Sequence, residues 1–165
     1  MKYKEQRVGI FVDVQNLYHS AKNLYKARVN YKELMKSLIS ERKLIRAFAY
    51  VVKSDTALGE SSFFEALKNC GMELRLKDLQ IFAGGTKKAD WDVGMAVDAI
   101  RLADSLDAVI LVTGDGDFIP LIIYLQQMGK SVEVAAFGKS ASGKMKELAD
   151  EFIDLDEVPK MILKK

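Results

Sequence analysis

Val109-Ile-Leu-Val112 sets four apolar residues in a row, and the chain then reads Thr113-Gly-Asp115-Gly-Asp117-Phe118. A strand with one face in water alternates apolar and polar residues. An unbroken apolar run that ends at turn residues instead describes a strand covered on both faces, as in a parallel sheet layered with helices. Gly114 and Gly116 let the backbone turn sharply where that strand stops. Asp115 and Asp117 then leave the sheet at its carboxyl edge, where open α/β folds bind their ligands. Two carboxylates held this close repel one another, and a bound cation is the simplest compensation. A divalent-metal site at the end of a buried strand is the first expectation.

The rest of the chain repeats the strand-then-helix pattern. Strands are expected at Val8–Val14, Leu44–Val52, Glu73–Leu76, Ala108–Thr113, Val132–Phe137 and Phe152–Leu155. Helices are expected at Leu17–Ala27, Tyr31–Ser40, Ser61–Asn69, Trp91–Ser105, Phe118–Met128 and Ser142–Asp150. Asn30 and Glu33 have capping-box spacing, Gly71 and Gly129 sit where helices should stop, and Pro120 falls in a first turn, where its missing N–H costs little. The alternation predicts an α/β fold with a mainly parallel central sheet and helices on both faces. At 165 residues the chain is read as one domain, residues 1–165, with no internal repeat or long linker. The one flexible stretch expected is Ile81 to Asp90, where Gly84-Gly85 precedes Lys87 and Lys88. It reads equally as a substrate-facing loop or a solvated turn.

Two more polar clusters fall where a sheet-edge site would lie. Asp13 ends the first apolar strand and Asn16 follows three residues later, either as turn and capping residues or as site residues. Asp90 and Asp92 stand at a helix start, where the helix dipole favours carboxylates; capping explains one of them better than two. Asp98 follows Asp92 by six residues, about 240° around a helix, and is expected to face solvent or stand behind the site. Together Asp13, Asp92, Asp115 and Asp117 supply the hard oxygen ligands that Mg²⁺ or Mn²⁺ prefers. No His/Cys set has zinc-like spacing and no Ser-His-Asp arrangement stands out; His19, the single histidine, reads as an ordinary helix residue that could face the site.

The formal net charge of +2 neither demands nor excludes a nucleic-acid partner, so any phosphate-binding surface must be a local patch. The lone Cys70 reads as a core residue and points to a reducing cytoplasm. No apolar run approaches the ~20 residues that span a bilayer, so no membrane partner is expected. Gly138-Lys-Ser-Ala-Ser-Gly143-Lys144 matches the phosphate-loop pattern as far as its lysine, but Met145 stands where that loop needs Ser or Thr. A plain turn with exposed lysines is the expectation there.

Assembled in order, Phe11-Val-Asp13-Val-Gln-Asn16, Asp92-Val-Gly-Met-Ala-Val-Asp98, Thr113-Gly-Asp115-Gly-Asp117-Phe118 and Leu148-Ala-Asp150-Glu-Phe152-Ile-Asp-Leu155 resemble the NYN domains of the PIN-like nuclease superfamily, above all the bacterial LabA-like group. The resemblance implies a three-layer, Rossmann-like α/β/α fold with an acidic pocket at one sheet edge and metal-dependent cleavage of RNA. It implies that Asp13, Asp92, Asp115 and Asp117 surround the metal and that Asn16 orients a ligand or water. Where the family often carries Lys-Gly before the helix acid, this chain has Ala89-Asp90-Trp91, an extra carboxylate that adds a ligand or weakens phosphate approach. Lys87, Lys88, Lys139 and Lys144 are candidate backbone contacts. The expectation is thus a Mg²⁺- or Mn²⁺-dependent ribonuclease, with room for a homo-oligomer. The alternative is a non-catalytic RNA-binding or regulatory module on the same fold. A phosphatase or phosphoacceptor also puts Asp after its first strand, but the dehalogenase-type pattern needs a second Asp where Gln15 stands.

Overall fold

Six strands form the main sheet; the four central ones each carry five consecutive buried residues, and the two at its edges carry none. The computed structural model describes residues 2–53, 60–78, 80–81, 87–88 and 90–164. β1 (Arg7–Asp13), β3 (Lys43–Lys53), β4 (Glu73–Asp78), β7 (Ala108–Val112), β8 (Ser131–Ala136) and β9 (Glu151–Asp154) lie in the order β4-β3-β1-β7-β8-β9, every neighbouring pair parallel. Counting only these six strands, that is the 3-2-1-4-5-6 order of a doubly wound Rossmann sheet. The order reverses between β1 and β7, so their carboxyl ends open side by side. The crossovers run through α1 (Val14–Tyr25), α2 (Tyr31–Ile39), α3 (Glu60–Asn69), α4 (Asp92–Leu102), α5 (Ile119–Gln127) and α6 (Gly143–Leu148).

The two sheet faces carry separate cores. On β1 and β7, Val8, Ile10, Val12, Ala108, Ile110 and Val112 point to one side and pack with Leu17, Leu34, Leu38 and Leu67 of α1, α2 and α3. Phe11, Val109 and Leu111 point to the other, against Met95 and Ala99 of α4 and Ile122 and Leu125 of α5. All five β7 residues are fully buried, as the unbroken apolar run requires. Each large apolar side chain so removed from water stabilises the fold by ~1.5–3 kcal/mol. The α/β/α sandwich expected from the sequence is what forms.

Several boundaries differ from expectation for local reasons. The first helix begins at Val14 and not Leu17, because the carboxylate of Asp13 accepts from the Asn16 amide and caps the helix three residues early. Asn30 caps α2 as its spacing predicts, accepting from Glu33 N at 3.3 Å. Gly71 and Gly129 take positive φ at helix ends, whereas Gly114 and Gly116 do not. Gly114 sits in a close approach: a Cβ there would come within 3.1 Å of the Ala141 backbone, which would have to give by a few tenths of an ångström. Four two-residue strands went unpredicted. β2 (Arg28–Val29) pairs antiparallel with β10 (Ile162–Leu163), and β5 (Gln80–Ile81) with β6 (Lys87–Lys88), the latter pair falling at the start of and inside the stretch expected to be flexible. Most of that loop lies outside the described residues, as do the side chains of Lys87 and Lys88. Among the described residues, no helix is long and apolar enough to cross a membrane.

Candidate active site

The reversal of strand order brings residues one hundred positions apart into contact. Thr113, wholly buried just past β7, donates its hydroxyl hydrogen to Asp13 Oδ2 at 3.0 Å and accepts from the Asp115 amide at 3.2 Å. Asn16 completes the tie, its Oδ1 accepting from Gly114 N at 2.9 Å. Both carboxylate oxygens of Asp13 are thus engaged, one by the Asn16 amide and one by Thr113. Asp115 in turn accepts from the Asp117 amide at 2.9 Å, which winds the Gly-Asp-Phe segment into a 3₁₀ turn leading into α5.

The third wall is the start of α4. Trp91 anchors it, donating its ring N–H to Val51 O at 3.0 Å and packing against Tyr50. Gly94 leaves the space the indole fills, since a Cβ there would lie 2.5 Å from the ring. Asp90 accepts from the Asp92 amide at 3.1 Å, so one acid of the pair does the capping and the other is free for the site. The result is a triad. Asp92, Asp115 and Asp117 each present an oxygen, and these atoms all lie within 4.8 Å of one another. Three oxygen donors at this spacing suit a hard divalent cation.

Electrostatics mark the same spot. Asp92 is pushed up to about 6, first by burial and then by the negative charges of Asp115, Asp90, Asp13 and Asp117. Burial also raises Asp13, against the pull of its bonds from Asn16 and Thr113.

The triad opens onto a cleft of about 290 Å³, whose acidic side is Asp13, Asp90, Asp92 and Asp115. The facing wall is α1: Gln15, Asn16, His19, Ser20 and Asn23 line it, with Ser140 from the loop after β8. Gln15, His19 and Asn23 recur every four residues, the spacing of one helix face, and that was the sequence signal for this wall. His19 therefore does face the cleft. Ser20 and Ser140 meet across it, hydroxyl to hydroxyl, at 3.1 Å.

Of the acids read from sequence, Asp13, Asp92, Asp115 and Asp117 converge on this edge with Asn16, although Asp13 stands beside the triad and not in it. Asp98 is elsewhere: it accepts from the Tyr50 hydroxyl and pairs with Arg75 of β4 and Arg101 of α4. Thr113 was part of the motif, but its bridging role was not foreseen. Lys139 and Lys144 do not line the cleft; the Lys139 ammonium lies over the Tyr25 ring. The Gly138–Lys144 loop is not a phosphate cradle. Two of its amides are taken by carboxylates, Gly138 N by Asp154 at 2.9 Å and Lys139 N by Asp156 at 3.1 Å, and those of Ser140 and Ser142 by the carbonyls of Phe137 and Gly114.

Comparison with known proteins bears on the family and the fold. The sequence pattern of the NYN domain matches residues 7–156. The low amplitude and bright protein LabA of Synechococcus elongatus is 24% identical over 175 residues, spanning 99% of this chain and 91% of that protein. An uncharacterized protein of Methanocaldococcus jannaschii is 28% identical and covers 93% of this chain, which spans 57% of the archaeal protein. A crystal structure of a protein of unknown function from Vibrio parahaemolyticus superimposes with a TM-score of 0.88 at 32% identity, over 99% of both chains.

Proposed function

The chain belongs to the NYN domain family, and from that premise we propose that it is a divalent-metal-dependent ribonuclease, a single domain of residues 1–165 acting in the cytoplasm. The observation that carries this reading is the convergence of Asp92, Asp115 and Asp117 oxygens within 4.8 Å at the switch point of the sheet. Mg²⁺ or Mn²⁺, when bound there, would supply an activated water and neutralise charge gathering on a phosphodiester.

The chain's own residues do the rest. Asp92, Asp115 and Asp117 would hold the cation; without it the acidic cleft would repel a phosphate, so metal and RNA binding should be coupled. The Asp117 amide fixes the rotamer of Asp115. Asp13 and Thr113 fix the turn from behind, and Asn16 locks that turn to α1 through Gly114. The polar side chains of α1 are available to the sugar of the bound strand.

The test is cleavage of a labelled RNA by pure protein in Mn²⁺, Mg²⁺ or EDTA, alongside Asp115→Asn. Cleavage should require metal and fall at least ~100-fold in the variant, as loss of a direct contact to transition-state charge does elsewhere. Activity that survives both chelation and substitution would sink the proposal. A second reading, a non-catalytic regulatory module on the same fold, is favoured by one feature: among the described residues no Lys or Arg lines the cleft to hold a phosphate backbone, while Asp90 adds negative charge to it. That reading predicts no turnover in any metal.

A further inference from the structure

The triad stands at the junction of two cavities. One is the α1 cleft; the other is a groove of about 380 Å³ between α4 and α5, and Asp92 borders both. The groove's mouth carries two triad acids, Asp92 and Asp117, and beyond them its walls are apolar. Val93, Val97 and Ile100 recur along one face of α4 and remain 77%, 54% and 40% exposed, facing Pro120 and the 45% exposed Tyr124 of α5. Isolated surface valines need no explanation, but an aliphatic stripe lining a groove that ends at a candidate metal site does.

Chemistry narrows the occupant. Among the described residues no Lys or Arg lines the groove, so a phosphate backbone gains nothing there. A flat, uncharged heterocycle gains from both the aliphatic wall and the Tyr124 ring, the usual way a single strand's unstacked base is held. A phosphate at the triad also carries a nucleoside one linkage away, and two of the triad's acids, Asp92 and Asp117, themselves border the groove. We propose that the α4–α5 groove is a nucleobase subsite that packs the base beside the phosphate held at the triad, with Tyr124 as its aromatic wall. This rests on the reading of the triad as a phosphodiester site. It adds that the substrate is single-stranded at that position, since a paired and stacked base cannot enter.

The experiment couples the side chain to the base. Binding of a fluorescent six-nucleotide RNA is measured in Ca²⁺, with strand integrity checked on gels, and each nucleotide is made abasic in turn. Wild-type protein should lose roughly tenfold in affinity at one abasic position. Tyr124→Ala should lose about as much on the intact strand and become indifferent to the abasic change there, while Tyr124→Phe keeps wild-type behaviour. An equal abasic penalty in wild type and Tyr124→Ala overturns the subsite. So does a groove that serves a second copy of the chain, seen as a dimer that Val97→Asp dissociates with RNA affinity unchanged. If the coupling is present but Mn²⁺ and Mg²⁺ give no cleavage, the nuclease reading falls and the subsite stands. If no metal-dependent RNA binding occurs at all, both fall.

Discussion

Thr113 shows how much depends on one hydroxyl. It is wholly buried and serves Asp13 as donor and the Asp115 amide as acceptor. Thr113→Val keeps the shape but leaves both partners unsatisfied. We expect metal affinity or turnover to drop ~10–100-fold, as it does when groups that orient ligands are lost, with Thr113→Ser restoring most of it. Titration calorimetry with Mn²⁺ would read this directly, and unchanged affinity would refute the role. Asp92 sets the pH dependence. Its folded value near 6 lies above the ordinary carboxylate range, so the folded state holds that proton more tightly than the unfolded chain. The stability this gives is full below about pH 4 and is lost as pH rises through about 6. Metal binding needs the ionised form, so Mn²⁺ affinity should climb between pH 5 and 7. Asp92→Asn should remove the matching stability slope in metal-free protein. The acids themselves were legible because they follow strands and a helix start. Thr113 was not, because its partner Asp13 is one hundred residues away.

Among the elements, the least legible contact is the one that ties the α2–β3 corner to β8. Arg42 is 5% and Glu133 3% exposed, and they meet in a two-pronged pair at 2.6 and 3.0 Å. The remaining guanidinium hydrogens go to Leu38 O, Ile39 O and Gln6. A charge this deep is tolerated because every donor is met. Arg42→Met would strand a buried carboxylate and should cost ~3–5 kcal/mol, whereas Arg42→Met with Glu133→Leu should recover most of that. Urea unfolding of the two variants decides it; equal losses would mean the pair's geometry matters less than its volume. The sequence shows Glu133 as a polar break in an apolar strand but gives no means of finding Arg42. β2 and β10 escaped notice for another reason: two residues are too few to display a period of two. The four central strands were readable because each buries a run long enough to leave its pattern in the sequence, whereas the edge strands β4 and β9 bury no residue and stand out only by their place in the alternation.

At the scale of the whole molecule, the doubly wound order builds the site. Asp13 comes from one side of the switch point and Thr113 and Asp115 from the other, so the acids gather only when the sheet has closed. The unfolded chain has no such group to offer a cation, and binding should therefore stabilise the fold. At a hundred times its dissociation constant, Mn²⁺ or Mg²⁺ should add ~2.7 kcal/mol, visible as a rise in melting temperature that Asp115→Asn abolishes. The loop after β8 carries a different consequence. Gly138 and Lys139 offer their amides as a phosphate loop would, and Asp154 and Asp156 fill them from within the chain. Those two bonds fasten the loop after β8 to the end of β9 and the turn that follows it. β9 is an edge strand with no buried residue, so polar stitches, more than apolar burial, hold it in register.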